Sequence, residues 1–122
     1  MSQERPATQA EGGATAQFVF EKSHTVEITN GPESNSNPVP SGGTVNLLMN
    51  AWDSFAHPLT YSWTASCPWS ASNGNFSNPA IWNPTWTAPI NTGGSEQSCA
   101  IQVTVSDGLG LSDQGSFSQQ VS

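Results

Sequence analysis

From Thr44 onward, apolar residues recur at every second position. In TVNLLMNAW, Val45, Leu47, Met49 and Ala51 share one side. PLTYSWTASC repeats the pattern with Leu59, Tyr61, Trp63, Ala65 and Cys67, and CAIQVTVSDG repeats it with Cys99, Ile101, Val103 and Val105. Successive side chains of a strand emerge on opposite faces, so each segment predicts a strand with one buried face. A last strand, SFSQQVS, keeps Phe117 and Val121 but places Gln119 at an expected apolar site. That substitution predicts an edge strand or a frayed end. Phe18 and Phe20 alternate, as do Val26 and Ile28, which gives one strand or two broken near Lys22. NGPESNSNPVPSGG reads as a turn-rich connection, and the Ser/Asn/Pro/Trp-rich residues 68–98 as a long excursion with a short strand around Pro84–Ala88. No helical period survives anywhere. Short strands without helices predict an all-β sandwich with Greek-key connections. Residues 1–15 are polar and aperiodic and read as a flexible arm or linker. Residues 16–122 read as the sandwich domain, with its first strand or an exchanged arm within 16–30.

Composition narrows what such a domain can do. The 122 residues suit one domain. No apolar run approaches the ~18 residues of a membrane-spanning helix. The segment after Met1 is polar, so an exported form is expected to have lost its leader; the alternative is a native Met1 and assembly in the cytoplasm, as for a virion component. Nine acidic residues face two basic ones, Arg5 and Lys22. Binding to phosphate backbones or anionic lipid needs Lys and Arg, so nucleic-acid and membrane partners are not expected. Cys67 and Cys99 are the only cysteines, and His24 and His57 do not extend them into a metal-type spacing. The pair reads as a disulfide, with buried free thiols as the alternative. A disulfide implies an oxidising compartment, and so an extracellular or cell-surface protein.

From about Ser41 to Ser122, the stretches SGGTVNLLMNAWD, PLTYSWTAS, NPTWTAP and IQVTVSDGLGLSD resemble the immunoglobulin-like and PKD-like modules of bacterial and archaeal surface proteins. The resemblance implies an antiparallel sandwich of about seven strands, of the PKD or fibronectin-III type. It implies that Trp63 is the buried tryptophan of the core, and that Asp107 and Gly108 occupy the turn after the penultimate strand. Relatives often carry an acidic loop resembling DPDGDP whose oxygens hold calcium; DSFAHP stands here instead and keeps only Asp53, which is expected to cap its own loop. If the strands ending at Cys67 and beginning at Cys99 pair antiparallel, the cystine sets Ala65 beside Ile101, Trp63 beside Val103 and Tyr61 beside Val105. All are inward residues by alternation, as is Leu47.

No catalytic constellation emerges. Serines are many, but neither His24 nor His57 lies in a nucleophile motif. Asp53 and Asp107 fall at one end of the sandwich, in turns without an evident cleft for glycoside chemistry. With Asp113 they are the one candidate calcium set, and no other cofactor is expected. Trp63 and Trp86 are assigned to the core. Trp52, Phe55, Trp69 and Trp82 are left as an exposed aromatic patch for sugar or protein, or as a cover over the sandwich ends. Asn75-Phe76-Ser77 matches the N-glycosylation pattern. The expected function is a non-catalytic extracellular structural or adhesive module, with protein subunits or surface polysaccharide as partners. A carbohydrate-binding accessory module and a virion decoration or fibre subunit are the alternatives.

Overall fold

The computed structural model describes residues 24–122. The expected arm over 1–15 and the Phe18/Phe20 alternation lie outside the described residues. Among the described residues seven strands follow one another: β1 (Val26–Ser34), β2 (Thr44–Asp53), β3 (Thr60–Ser66), β4 (Asn75–Phe76), β5 (Thr85–Thr87), β6 (Gln97–Ser106) and β7 (Ser112–Val121). They form two antiparallel sheets, ordered β1-β2-β5-β4 and β3-β6-β7. The expected all-β sandwich is therefore the architecture.

The alternation builds the core. Val45, Leu47 and Met49 of β2 and Trp86 of β5 face Trp63 of β3 and Ile101, Val103 and Val105 of β6. Each such side chain contributes roughly 1.5–3 kcal/mol by leaving water. Between β3 and β6 the register pairs Tyr61 with Val105, Trp63 with Val103 and Ala65 with Ile101. Just beyond, Cys67 and Cys99 form the disulfide, with Cα atoms 4.4 Å apart. This is the register the cysteines imply.

The sheets also meet along their edges. Ile28 N donates to Asp113 Oδ2 at 2.8 Å, tying β1 to β7. Val39 N donates to Gln120 O at 2.9 Å, and Asn37 Nδ2 to Ser118 O at 2.9 Å. On the far side Trp63 N donates to Pro79 O at 3.0 Å, and its Nε1 to Ile81 O at 2.8 Å.

One expectation needs correction and another is resolved. The connection expected from Asn30 begins later, because β1 continues through Ser34. Irregular pairing between Ile28 and Asn30 and between Asn30 and Glu33 absorbs Gly31 and Pro32 as a bulged stretch. Gly31 has φ 75° there, and a Cβ on it would stand 2.8 Å from Leu48 O. Gln119 does lie on an edge strand, but it is fully buried and not frayed. Its Nε2 donates to Ser36 O at 2.9 Å and Gln120 O at 3.1 Å, and Ser34 Oγ donates to its Oε1 at 2.5 Å. The site faces the polar segment after β1, so it requires a hydrogen-bonding side chain. Val26–Ile28 pair with Ala51–Asp53 of the same chain.

Candidate metal centre

Asp53 ends β2, His57 lies in the loop to β3, Asp107 follows β6, and His24 precedes β1. The topology gathers these chain segments at the end of the sandwich opposite the disulfide. Local turns then aim the side chains. Phe55 N donates to Asp53 Oδ1 at 2.7 Å, and Ala56 N to Asp53 O at 2.9 Å. Ala56 takes φ 60°, a left-handed conformation unusual for alanine, and so turns His57 back towards Asp53. Asp53 thus caps its own loop, as expected. Asp107 Oδ1 accepts from Leu109 N at 2.8 Å and Leu111 N at 3.1 Å. Thr25 N donates to Ser54 Oγ at 2.9 Å and Ser54 N to Thr25 O at 3.0 Å, fastening the approach to β1 against the β2–β3 loop.

The result is a compact group of four. His24 Nε2 lies 3.1 and 3.0 Å from the two Asp53 oxygens, 3.3 Å from Asp107 Oδ2 and 3.2 Å from His57 Nδ1. His57 Nδ1 lies 3.3 Å from Asp53 Oδ2 and 3.8 Å from Asp107 Oδ2. The carboxylates are buried, whereas the histidine side chains are 22% and 31% exposed. Phe55 stacks on His24, with centroids 4.5 Å apart and planes 3° from parallel. For Asp53, burial raises the pKa, but hydrogen bonds from His24 and from the backbone of Phe55 and His57, with the attraction of His24, outweigh burial and bring it to about 2. For Asp107, the Leu109 backbone donor outweighs burial. Leu111 and His24 add to the lowering, Asp53 opposes it, and the pKa settles below the usual carboxylate range.

One donor atom from each of the four residues falls within 4.8 Å of all the others, an arrangement able to hold a metal ion. The expected calcium trio is not assembled. Asp113 is engaged elsewhere, its oxygens accepting from Ile28 N at 2.8 Å and Gln114 N at 2.9 Å. The two histidines, whose spacing suggested no metal site, take its place. Sequence offered little warning: only Asp53 and His57 are neighbours along the chain, and the rest is long-range topology. Two imidazole nitrogens are poor partners for a hard, oxygen-seeking cation, so this donor set does not fit calcium.

The four candidate aromatic residues do not form one patch. Trp52, Phe55 and Trp82 are 51%, 47% and 46% exposed. Trp52 and Phe55 lie at the His/Asp end, while Trp82 borders a shallow recess with Leu48 and Asn46. Trp69 packs against the core near the disulfide and donates from Nε1 to Ser98 O at 2.8 Å. Asn75 lies exposed on β4.

Fold and site together define a disulfide-bonded all-β sandwich with a His/Asp cluster at one end. No family model matches the chain, and no curated protein matches it. Among solved structures it is similar to a nucleoside hydrolase-related hypothetical protein from Saccharophagus degradans that is associated with carbohydrate metabolism, at 19% identity and a TM-score of 0.57. The match covers 83% of this chain and 26% of that one, so the likeness is one of fold and spans about a quarter of that protein. Among the described residues, no helix is long and apolar enough to cross a membrane.

Proposed function

We propose that the chain is a non-catalytic, immunoglobulin-like structural or adhesive module of an extracellular or cell-surface assembly. The observation that carries this reading is how the acidic and imidazole groups are used. The carboxylates that reactive chemistry would draw on are buried, each fixed by backbone donors through one oxygen. Both pKa values are lowered, so neither carboxyl is a proton donor near neutral pH. A glycoside-cleaving pair requires a raised pKa in one partner and carboxyls ~5 Å or more apart with room for substrate between them. A disulfide adds to this picture, since it belongs in an oxidising compartment.

Light scattering of the full chain and of a form lacking residues 1–22 tests the assembly role. Concentration-dependent oligomers that vanish on truncation support it. A chain that stays monomeric throughout and is not retained on intact cell-surface material overturns it. The half-exposed Trp52 and Trp82 favour a second reading, a carbohydrate-binding accessory module, because flat indole faces stack on sugar rings. Binding on a glycan array that Trp52→Ala and Trp82→Ala abolish would select it.

A further inference from the structure

We propose that His24, Asp53, His57 and Asp107 form a closed four-ligand site for a divalent transition metal of the zinc class. Ligand bonds of about 2.0–2.1 Å to a tetrahedral ion place neighbouring donors about 3.3 Å apart. The inward-facing atoms here are His24 Nε2, His57 Nδ1, Asp53 Oδ2 and Asp107 Oδ2. Five of their six separations are 3.0, 3.2, 3.3, 3.3 and 3.8 Å. These separations fit the edges of a tetrahedron, and they converge from four separate stretches of chain.

Hydrogen bonding accounts for part of the arrangement and leaves the rest unsatisfied. His24 Nε2 has Asp53 Oδ1, Asp53 Oδ2, Asp107 Oδ2 and His57 Nδ1 within 3.3 Å, yet a ring nitrogen offers one proton or one lone pair. Asp107 Oδ2 is fully buried, has no hydrogen-bond partner and points into the cluster. A buried carboxylate oxygen left in this way is costly, and a cation at the centre satisfies it. Asp107 Oδ1 is held by two backbone N–H groups and Asp53 Oδ1 by one, which fixes each carboxylate as an outer shell fixes a metal ligand and leaves Asp107 Oδ2 aimed inward.

Donor chemistry selects the ion. Two imidazoles and two carboxylates suit zinc and its neighbours, whereas calcium takes about 6–8 oxygens. Four protein ligands leave no open position, which marks a structural site. The site draws on the approach to β1, the end of β2, the β2–β3 loop and the end of β6, so the ion would fasten one sheet to the other opposite the cystine.

The test uses the full chain, stripped with a chelator and then titrated calorimetrically with Zn²⁺, Ca²⁺ and Mg²⁺. One Zn²⁺ per chain is expected, bound far more tightly than Ca²⁺ or Mg²⁺. At a hundredfold excess over Kd, zinc is expected to raise the thermal midpoint by about 10 °C or more. Co²⁺ is expected to give the intense visible absorption of a tetrahedral centre. His24→Ala and His57→Ala involve partly exposed rings, and circular dichroism is expected to remain that of the parent. Each is expected to weaken zinc by at least roughly 100-fold, more than loss of an outer-shell partner does. Asp107→Asn retains the shape and is expected to weaken zinc likewise. Absence of stoichiometric zinc, zinc binding indifferent to both histidine variants, or preference for calcium would overturn the assignment.

Discussion

Replacing Gln119 with leucine puts an apolar residue where the alternation of β7 asks for one, and it is nevertheless expected to destabilise the protein. The side chain is fully buried. Leucine removes donations to Ser36 O at 2.9 Å and Gln120 O at 3.1 Å, a longer one to Asn37 Oδ1 at 3.3 Å, and the acceptor of the Ser34 hydroxyl. Several partners have a second contact. Gln120 O keeps Val39 N at 2.9 Å, Asn37 Oδ1 keeps Gln120 N at 2.8 Å, and Ser34 Oγ still reaches Ser36 O at 3.0 Å. The loss is therefore about that of one or two net hydrogen bonds, roughly 1–2 kcal/mol, and not the sum of four. Gln119→Ala adds a cavity and is expected to cost about 2–4 kcal/mol. Urea unfolding followed by tryptophan fluorescence measures both, with an unchanged m-value showing that the native state is intact. A double-mutant cycle with Ser34→Ala is expected to return a coupling near 1 kcal/mol. A leucine variant as stable as the parent would refute the reasoning, since the polar hub would then contribute nothing.

Gly74→Ala is expected to destabilise by about 2–4 kcal/mol, because left-handed backbone combines with overpacking there. Its φ is 78°, and a Cβ would stand 2.5 Å from Thr87 O and 2.7 Å from the Trp86 ring; chemical denaturation checks the loss. Replacing Cys67 and Cys99 together with alanine opens a link spanning 32 residues and is expected to cost about 3–4 kcal/mol in the chain-entropy model, read as a lower urea midpoint than that of the oxidised parent. Ala56→Gly is expected to raise stability by up to about 1 kcal/mol by relieving the left-handed alanine, as differential scanning calorimetry would record.

Strand identity was legible because period two is a local signal. β2, β3 and β6 fall where the alternation puts them, and the cysteines supplied a register that the other inward residues of β3 and β6 independently support. β1 was harder to delimit. Gly31 and Pro32 read locally as a turn, but pairing with β2 carries the strand across them. Gln119 did mark an edge strand, but its burial was not legible, because alternation tells which face a residue occupies, not what covers that face. The cluster was half legible. Asp53 and Asp107 could be assigned to the same end from strand order alone. His24 required knowing that the approach to β1 lies against the β2–β3 loop, and His57 required the left-handed turn at Ala56. Neither fact has a sequence period.

The margins of the two sheets bear on how copies could meet. β3 is lined by Pro79, β7 by Asn37 and Val39, β4 is only two residues long, and β1 is kinked and interrupted by a proline that has no N–H. Over the described residues, each margin is a poor template for lateral strand joining, a common route to uncontrolled polymerisation. Contacts with neighbours would then fall to the tips and broad faces of the sandwich, where side chains rather than main-chain ladders choose the partner.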